Sequence, residues 1–153
     1  MIRAMRMFSR GLLICLLMPA LSWPALAAEV CLPRWQAGWV RKPPMAMPML
    51  AAYGRLSNPC GQARRWVRVA SPWFESVSLH ESVQAQGVSR MREVGPPLML
   101  PAHAEIALQP GGLHLMLMQP TRALRVGQPV PVTFEFDDGS RVETRLPLCE
   151  TAP

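Results

Sequence analysis

Several chemistries are missing from this sequence. It contains no C-x-x-C, no H-E-x-x-H and no G-x-S-x-G, so the dithiol redox pair, the zincin helix and the serine-hydrolase elbow have no signature here. C-x-x-H is absent too, which speaks against a copper or zinc site built on cysteine. Basic residues never run longer than the pairs Arg41-Lys42 and Arg64-Arg65. The formal charge of +6 therefore forms no stripe for nucleic acid. Beyond residue 22 no apolar stretch is long enough for a membrane helix. Internal repeats and low-complexity linkers are also lacking, and no enzyme motif is found.

The first residues read as a secretory signal peptide. Arg3, Arg6 and Arg10 precede an apolar stretch from Gly11 to Ser22, and Ala25-Leu26-Ala27 fits a small-x-small cleavage site. Ile14 stands before Cys15 where lipoprotein processing needs a small residue. The expected division is a signal peptide at 1–27 and one domain at 28–153, soluble in the periplasm and without a membrane span. Removing the signal leaves thirteen basic against ten acidic residues, an ordinary surface with a mild positive bias. Fifteen prolines remain, about twice the usual frequency, which disfavours long helices. Cys31, Cys60 and Cys149 also remain. An oxidising compartment favours one disulfide and one leftover thiol. Cys31–Cys60 is preferred, with either pairing to Cys149 left open.

The chain then reads as short strands: 35–41, 50–56, 66–70, 75–81, 88–94, 104–108, 111–120, 130–136 and 141–148. Turn signals separate them, most clearly Asp137-Asp138-Gly139-Ser140. Eight or nine strands at this spacing indicate a sandwich or barrel. In Gly111–Pro120, alternation puts Leu113, Leu115 and Leu117 on one face and His114, Met116 and Met118 on the other. The leucines suit a core. The second face is either a soft metal site or a second buried surface filled by Met, with His hydrogen-bonded.

His80 is followed after ten residues by Met91, and His114 and Met116 come further on. With the words SLHE (78–81), MREV (91–94) and LQPGGLHLMLM (108–118), this spacing resembles the periplasmic copper chaperone family PCu(A)C from about Trp39 to Leu148. The resemblance implies an all-β, cupredoxin-like (immunoglobulin-like) β-sandwich. It also implies a copper(I) site made of His80, Met91, His114 and Met116. The implied recipient is cytochrome c oxidase, at the dinuclear copper centre of subunit II, with Sco-like thiol proteins as co-workers. The mature cysteines and the Met45–Met49 loop depart from the family pattern, and the His- and Met-rich C-terminal extension of some members is absent.

The chemistry stands by itself. Two imidazoles and two thioethers form a neutral, soft set that suits copper(I) better than zinc or calcium. Thioethers cannot close into disulfides, although sulfoxide formation threatens them. A blue-copper centre needs a Cys thiolate between His and Met ligands, and Cys149 is followed only by Glu150–Pro153. A copper oxygenase of the N-terminal histidine type needs His where Ala28 or Glu29 stands. A carrier, a copper store and a metal-free interaction module remain, and the expected state is a monomer. Met45, Met47 and Met49 read as loop packing or a copper-collecting patch, and Met118 as packing or a supporting ligand. Met99 reads as packing, His103 as surface, and Arg90 and Arg92 as solvated or as docking charges.

Overall fold

The computed structural model describes residues 31–153; the signal peptide expected at 1–27, with Cys15, lies outside the described residues. Ten strands follow one another: β1 (Arg34–Arg41), β2 (Met49–Ser57), β3 (Arg64–Ala70), β4 (Phe74–Ala85), β5 (Val88–Glu93), β6 (Leu98–Leu100), β7 (Glu105–Leu108), β8 (Leu113–Pro120), β9 (Pro129–Phe136) and β10 (Arg141–Cys149). No helix occurs among the described residues.

Alternation is clearest in β9, where Val130, Val132, Phe134 and Phe136 are buried and the residues between them face outward. The strand order is β5-β4-β8-β2-β1-β10-β9-β3-β6, with β7 also on β2. Among the described residues, the strand ladder passes from one half to the other through a short parallel pairing, Val40 to Leu148 and Arg41 to Cys149. The halves β5-β4-β8-β2-β1 and β10-β9-β3-β6 close on one shared core that includes Leu79, Leu115 and Leu117 from the first and Trp66, Phe134 and Leu146 from the second. Each such side chain contributes about 1.5–3 kcal/mol when fully buried.

Trp35 of β1 spans the two halves and stacks on Phe134, ring centroids 4.8 Å apart. It reaches that position through a slot left by two glycines. A Cβ on Gly38 would sit 1.8 Å from the Trp35 indole nitrogen, and one on Gly54 2.6 Å from its ring. The backbone yields here as well: Ala37 has φ of 48°, and the β1–β2 register shifts between Gln36 and Trp39.

Nine of these strands follow the expected segments. β6 was not expected, because three residues after Pro96-Pro97 are too few to show alternation. β4 runs to Ala85 instead of ending at Glu81. Gln86 and Gly87, with φ of 52° and 77°, turn the chain so that β5 pairs back from Val88 on Ala85 to Glu93 on His80.

Cys31 and Cys60 form the disulfide, and Cys149 is free. Asn58 secures the turn beside the bridge. Its amide nitrogen donates to the carbonyls of Gln62, Leu100 and Pro101, and its amide oxygen accepts from the Cys60 N–H.

Candidate metal centre

β8 lies between β4 and β2, and register decides what meets on its outer face. His114 is opposite His80 on β4. Met116 is opposite Ser78 on β4 and Ala51 on β2. Residues directly opposite one another share a face, so His80, Ser78, His114, Met116 and Ala51 form one surface. On β5, Glu93 is opposite His80 and Met91 is opposite Ser82. Met91 therefore joins the same surface on the far side of His80. The rings of His80 and His114 are 6.1 Å apart, tilted by 35°.

β8 is buried on both faces. Leu115 and Leu117 are in the core, while His114 is 4% and Met116 7% exposed on the other side. The cover is aromatic: Tyr53 stands 6.3 Å from the His114 ring and Trp39 packs 5.0 Å from Tyr53. Buried packing and a soft donor set thus coincide on this face. His114 Nδ1 is 2.9 Å from the Gly112 carbonyl. A carbonyl only accepts, so Nδ1–H donates and the Nε2 lone pair of the neutral ring is left for a ligand. The same Gly112 carbonyl accepts from the Ser82 N–H of β4 at 3.1 Å, which ties β4 to the turn between β7 and β8. Both strands pair with the same edge of β2, and the turn at Gln109–Gly112 joins them.

His80 is half-buried, with Nε2 2.9 Å from the Ser78 hydroxyl. Desolvation holds its pKa below the usual imidazole value; the Glu93 carboxylate pulls it up and the neighbouring His114 pushes it down. His80 is therefore neutral at neutral pH, as a metal ligand must be. Met91 is 55% exposed. Among the described residues, His, Cys, Asp and Glu alone form no cluster of three or more; this face adds the thioethers of Met91 and Met116 to its two imidazoles.

The other singled-out residues separate by strand and face. Arg90 and Arg92 project from the opposite face of β5, and Arg92 is held by the Glu81 carboxylate, Nη2 to Oε2 2.6 Å. His103 sits exposed in the β6–β7 loop. Met99, expected as packing, is 51% exposed. Cys149 shares the outer face but is on β10, three strand positions from β8, or about 14 Å at 4.8 Å per strand.

Glu93, Ser78, Tyr53 and Trp39 were missed as parts of this surface. Parity along each strand already grouped Ser78 with His80 and Glu93 with Met91. Only the β4–β5 and β2–β8 registers bring those groups together.

Residues 35–148 match the family model described as "Putative lipoprotein LpqE-like". The chain is 35% identical over 100 residues to the "Putative lipoprotein Lxx21020" of Leifsonia xyli subsp. xyli, covering 65% of this chain and 60% of that one; it thus spans about three fifths of that relative's length. The solution structure of CuI-DR1885 from Deinococcus radiodurans is similar at 30% identity and TM-score 0.61, covering 83% of each chain. The copper-bound PCuAC domain from PmoF2 shares the fold at 20% identity and TM-score 0.62, covering 76% of this chain and 92% of that one. The chain belongs to the LpqE-like family, which is the PCuAC family, and its all-β sandwich is the cupredoxin-like fold of those domains.

Proposed function

We propose that this chain is an extracytoplasmic copper(I) carrier that holds the ion with His80, Met91, His114 and Met116. The observation that carries the reading is the approach of two imidazole rings to 6.1 Å on a surface that also carries the thioethers of Met116 and Met91. His114 offers a free Nε2, and His80 stays neutral at neutral pH. Two neutral nitrogens and two neutral sulfurs match a soft monovalent cation, which is cargo and not a resident cofactor. The copper(I) form of DR1885 and the copper-bound PmoF2 domain support the same cargo.

Delivery completes the proposal. The periplasm is the compartment, reached through the signal at 1–27, and the protein works as a monomer. The recipient is the dinuclear centre of cytochrome c oxidase subunit II, with Sco-like thiol proteins as partners. A thiolate acceptor is softer and charged, so it draws copper(I) from thioether and imidazole. Electron transfer is disfavoured, because Cys149 stands too far from both imidazoles to serve as a blue-copper thiolate.

Two measurements test this. Anaerobic copper(I) titration against a competing chelator should give one tight equivalent that is weakened by each of His80→Ala, Met91→Leu, His114→Ala and Met116→Leu. Mixing loaded protein with the apo copper domain of subunit II should move the metal. Copper that stays in place with acceptor in excess would leave a store in place of a carrier, and an unchanged affinity in all four variants would reject the site.

A further inference from the structure

Beyond the four residues already discussed, methionines gather at one corner of the same face. Met45 is 74%, Met47 45% and Met49 38% exposed. Exposed strand ends of a β-sandwich usually carry polar side chains, and a contiguous apolar group of one residue type needs a reason. Met49 is directly opposite Met118 across the β2–β8 pair. The Gln119 N–H donates to the Pro48 carbonyl at 2.6 Å, which makes 48 and 119 a hydrogen-bonded pair. By the alternation of an antiparallel ladder, Met49 and Met118 are then a non-hydrogen-bonded pair, the kind whose side chains come closer. Met45, Met47 and Met49 line one groove with Arg41, Ala51 and Tyr53. No carboxylate, imidazole or thiol lines this groove, so it offers nothing to calcium or zinc and only thioether sulfur to a soft ion.

We infer that Met47, Met49 and Met118, with Met45 as an outer arm, form a second, thioether-only site for a soft monovalent cation. Copper(I) is its physiological ligand and silver(I) its laboratory analogue. The site stands apart from the His80 and His114 rings but is continuous with them. Met118 and Met116 are two residues apart on one face of β8, a step of about 6.6 Å along the strand, and Met116 is beside His114. The positive charge of Arg41 at the rim and the lack of imidazole make it the weaker of the two sites. It is therefore a loading point where an ion enters before moving down β8. The inference takes the identity of the cation from the carrier reading, whereas the sulfur cluster does not depend on it.

The test is an anaerobic silver(I) titration of the full mature protein labelled with 13C at the Met methyl groups, followed by NMR. Wild type should take two equivalents, the second at least tenfold weaker and reported by the Met49 and Met118 methyls. His80→Ala with His114→Ala should lose the first equivalent and keep the second. Met47→Leu, Met49→Leu and Met118→Leu together conserve side-chain volume; they should abolish the second equivalent and leave the first within twofold. A single equivalent in wild type that shifts only Met91 and Met116 would overturn the inference, as would a triple variant that still takes two. If the carrier reading alone fails, the tight equivalent is missing while Met49 and Met118 still respond. If they are merely a hydrophobic docking patch, silver(I) leaves their signals unmoved, which also overturns the inference.

Discussion

Glu93→Gln isolates one electrostatic contribution to the proposed site. Glu93 and His80 are opposite each other on β5 and β4. The Val94 N–H donates to the Leu79 carbonyl at 2.8 Å, so the His80–Glu93 pair is of the closer, non-hydrogen-bonded type. Taking about 6 Å between carboxylate and bound ion and an effective dielectric of about 40–80 for a site open to water, Coulomb's law gives about 0.7–1.4 kcal/mol. The Gln variant should therefore bind copper(I) three- to tenfold more weakly at pH 7.5 in low salt. The difference should shrink as ionic strength rises and the Debye length falls below about 8 Å. pH supplies a second signature with a definite sign. The carboxylate raises the His80 pKa against the larger desolvation effect, so removing it lowers that pKa further. At pH 7.5 His80 is neutral in both proteins. As pH falls through the depressed pKa, below the usual value of about 6.5, the wild type meets proton competition first and the gap narrows. Chelator competition at pH 7.5 and 5.5 checks both. Equal affinities at pH 7.5, or a gap that widens on acidification, would refute the reasoning.

Two further predictions concern the scaffold. Removing the Cys31–Cys60 bridge, whose partners are separated by 29 residues, should cost about 3–4 kcal/mol by the loop-entropy relation while leaving the copper equivalent intact; thiol counting on unfolded, unreduced protein without residues 1–27 should find one free group, Cys149. Asn58→Ala should lower stability by about 2–3 kcal/mol, and Asn58→Asp by more, because it turns an acceptor toward three carbonyls in a buried site; thermal melts compare them, and an Asp variant as stable as wild type would contradict the hydrogen-bond assignment.

Much of this architecture was legible because β-strands write their faces into the sequence. Val130, Val132, Phe134 and Phe136 announce β9, and the Asp137–Ser140 turn announces its pairing with β10. The His80, Met91, His114 and Met116 spacing identified the family before any fold was known. Alternation, however, reports a face and not a neighbour. That β8 lies between β4 and β2 is a long-range fact, and the aromatic cover of His114 by Tyr53, more than fifty residues upstream, depends on it. β6 left no mark, since Leu98–Leu100 is held by pairing with β3 and by the Asn58 amide more than by its own pattern. The slot made by Gly38 and Gly54 for Trp35 was equally invisible, because a glycine in a strand does not say which side chain needs the space.

Burial across the proposed site follows from strand position. β8 is flanked on both sides, and His114 and Met116 are almost wholly enclosed, 4% and 7% exposed. β4 is covered on one side by the short β5, and His80 is half-buried. β5 is the edge, all six of its residues are exposed, and Met91 is 55% exposed. Burial therefore decreases along the proposed ligand set in the direction β8, β4, β5, for a reason that belongs to the sheet and not to the metal. On the carrier reading this gradient has a chemical use. The buried pair provides the enclosed half-site, with His114 oriented by the Gly112 carbonyl and covered by Tyr53. The edge thioether is the donor that solvent and an incoming thiolate meet first. An acceptor can displace Met91, then reach the ion beside His80, while His114 and Met116 still hold it. Copper(I), which accepts three or four ligands of mixed type, need not be free at any stage of such an exchange.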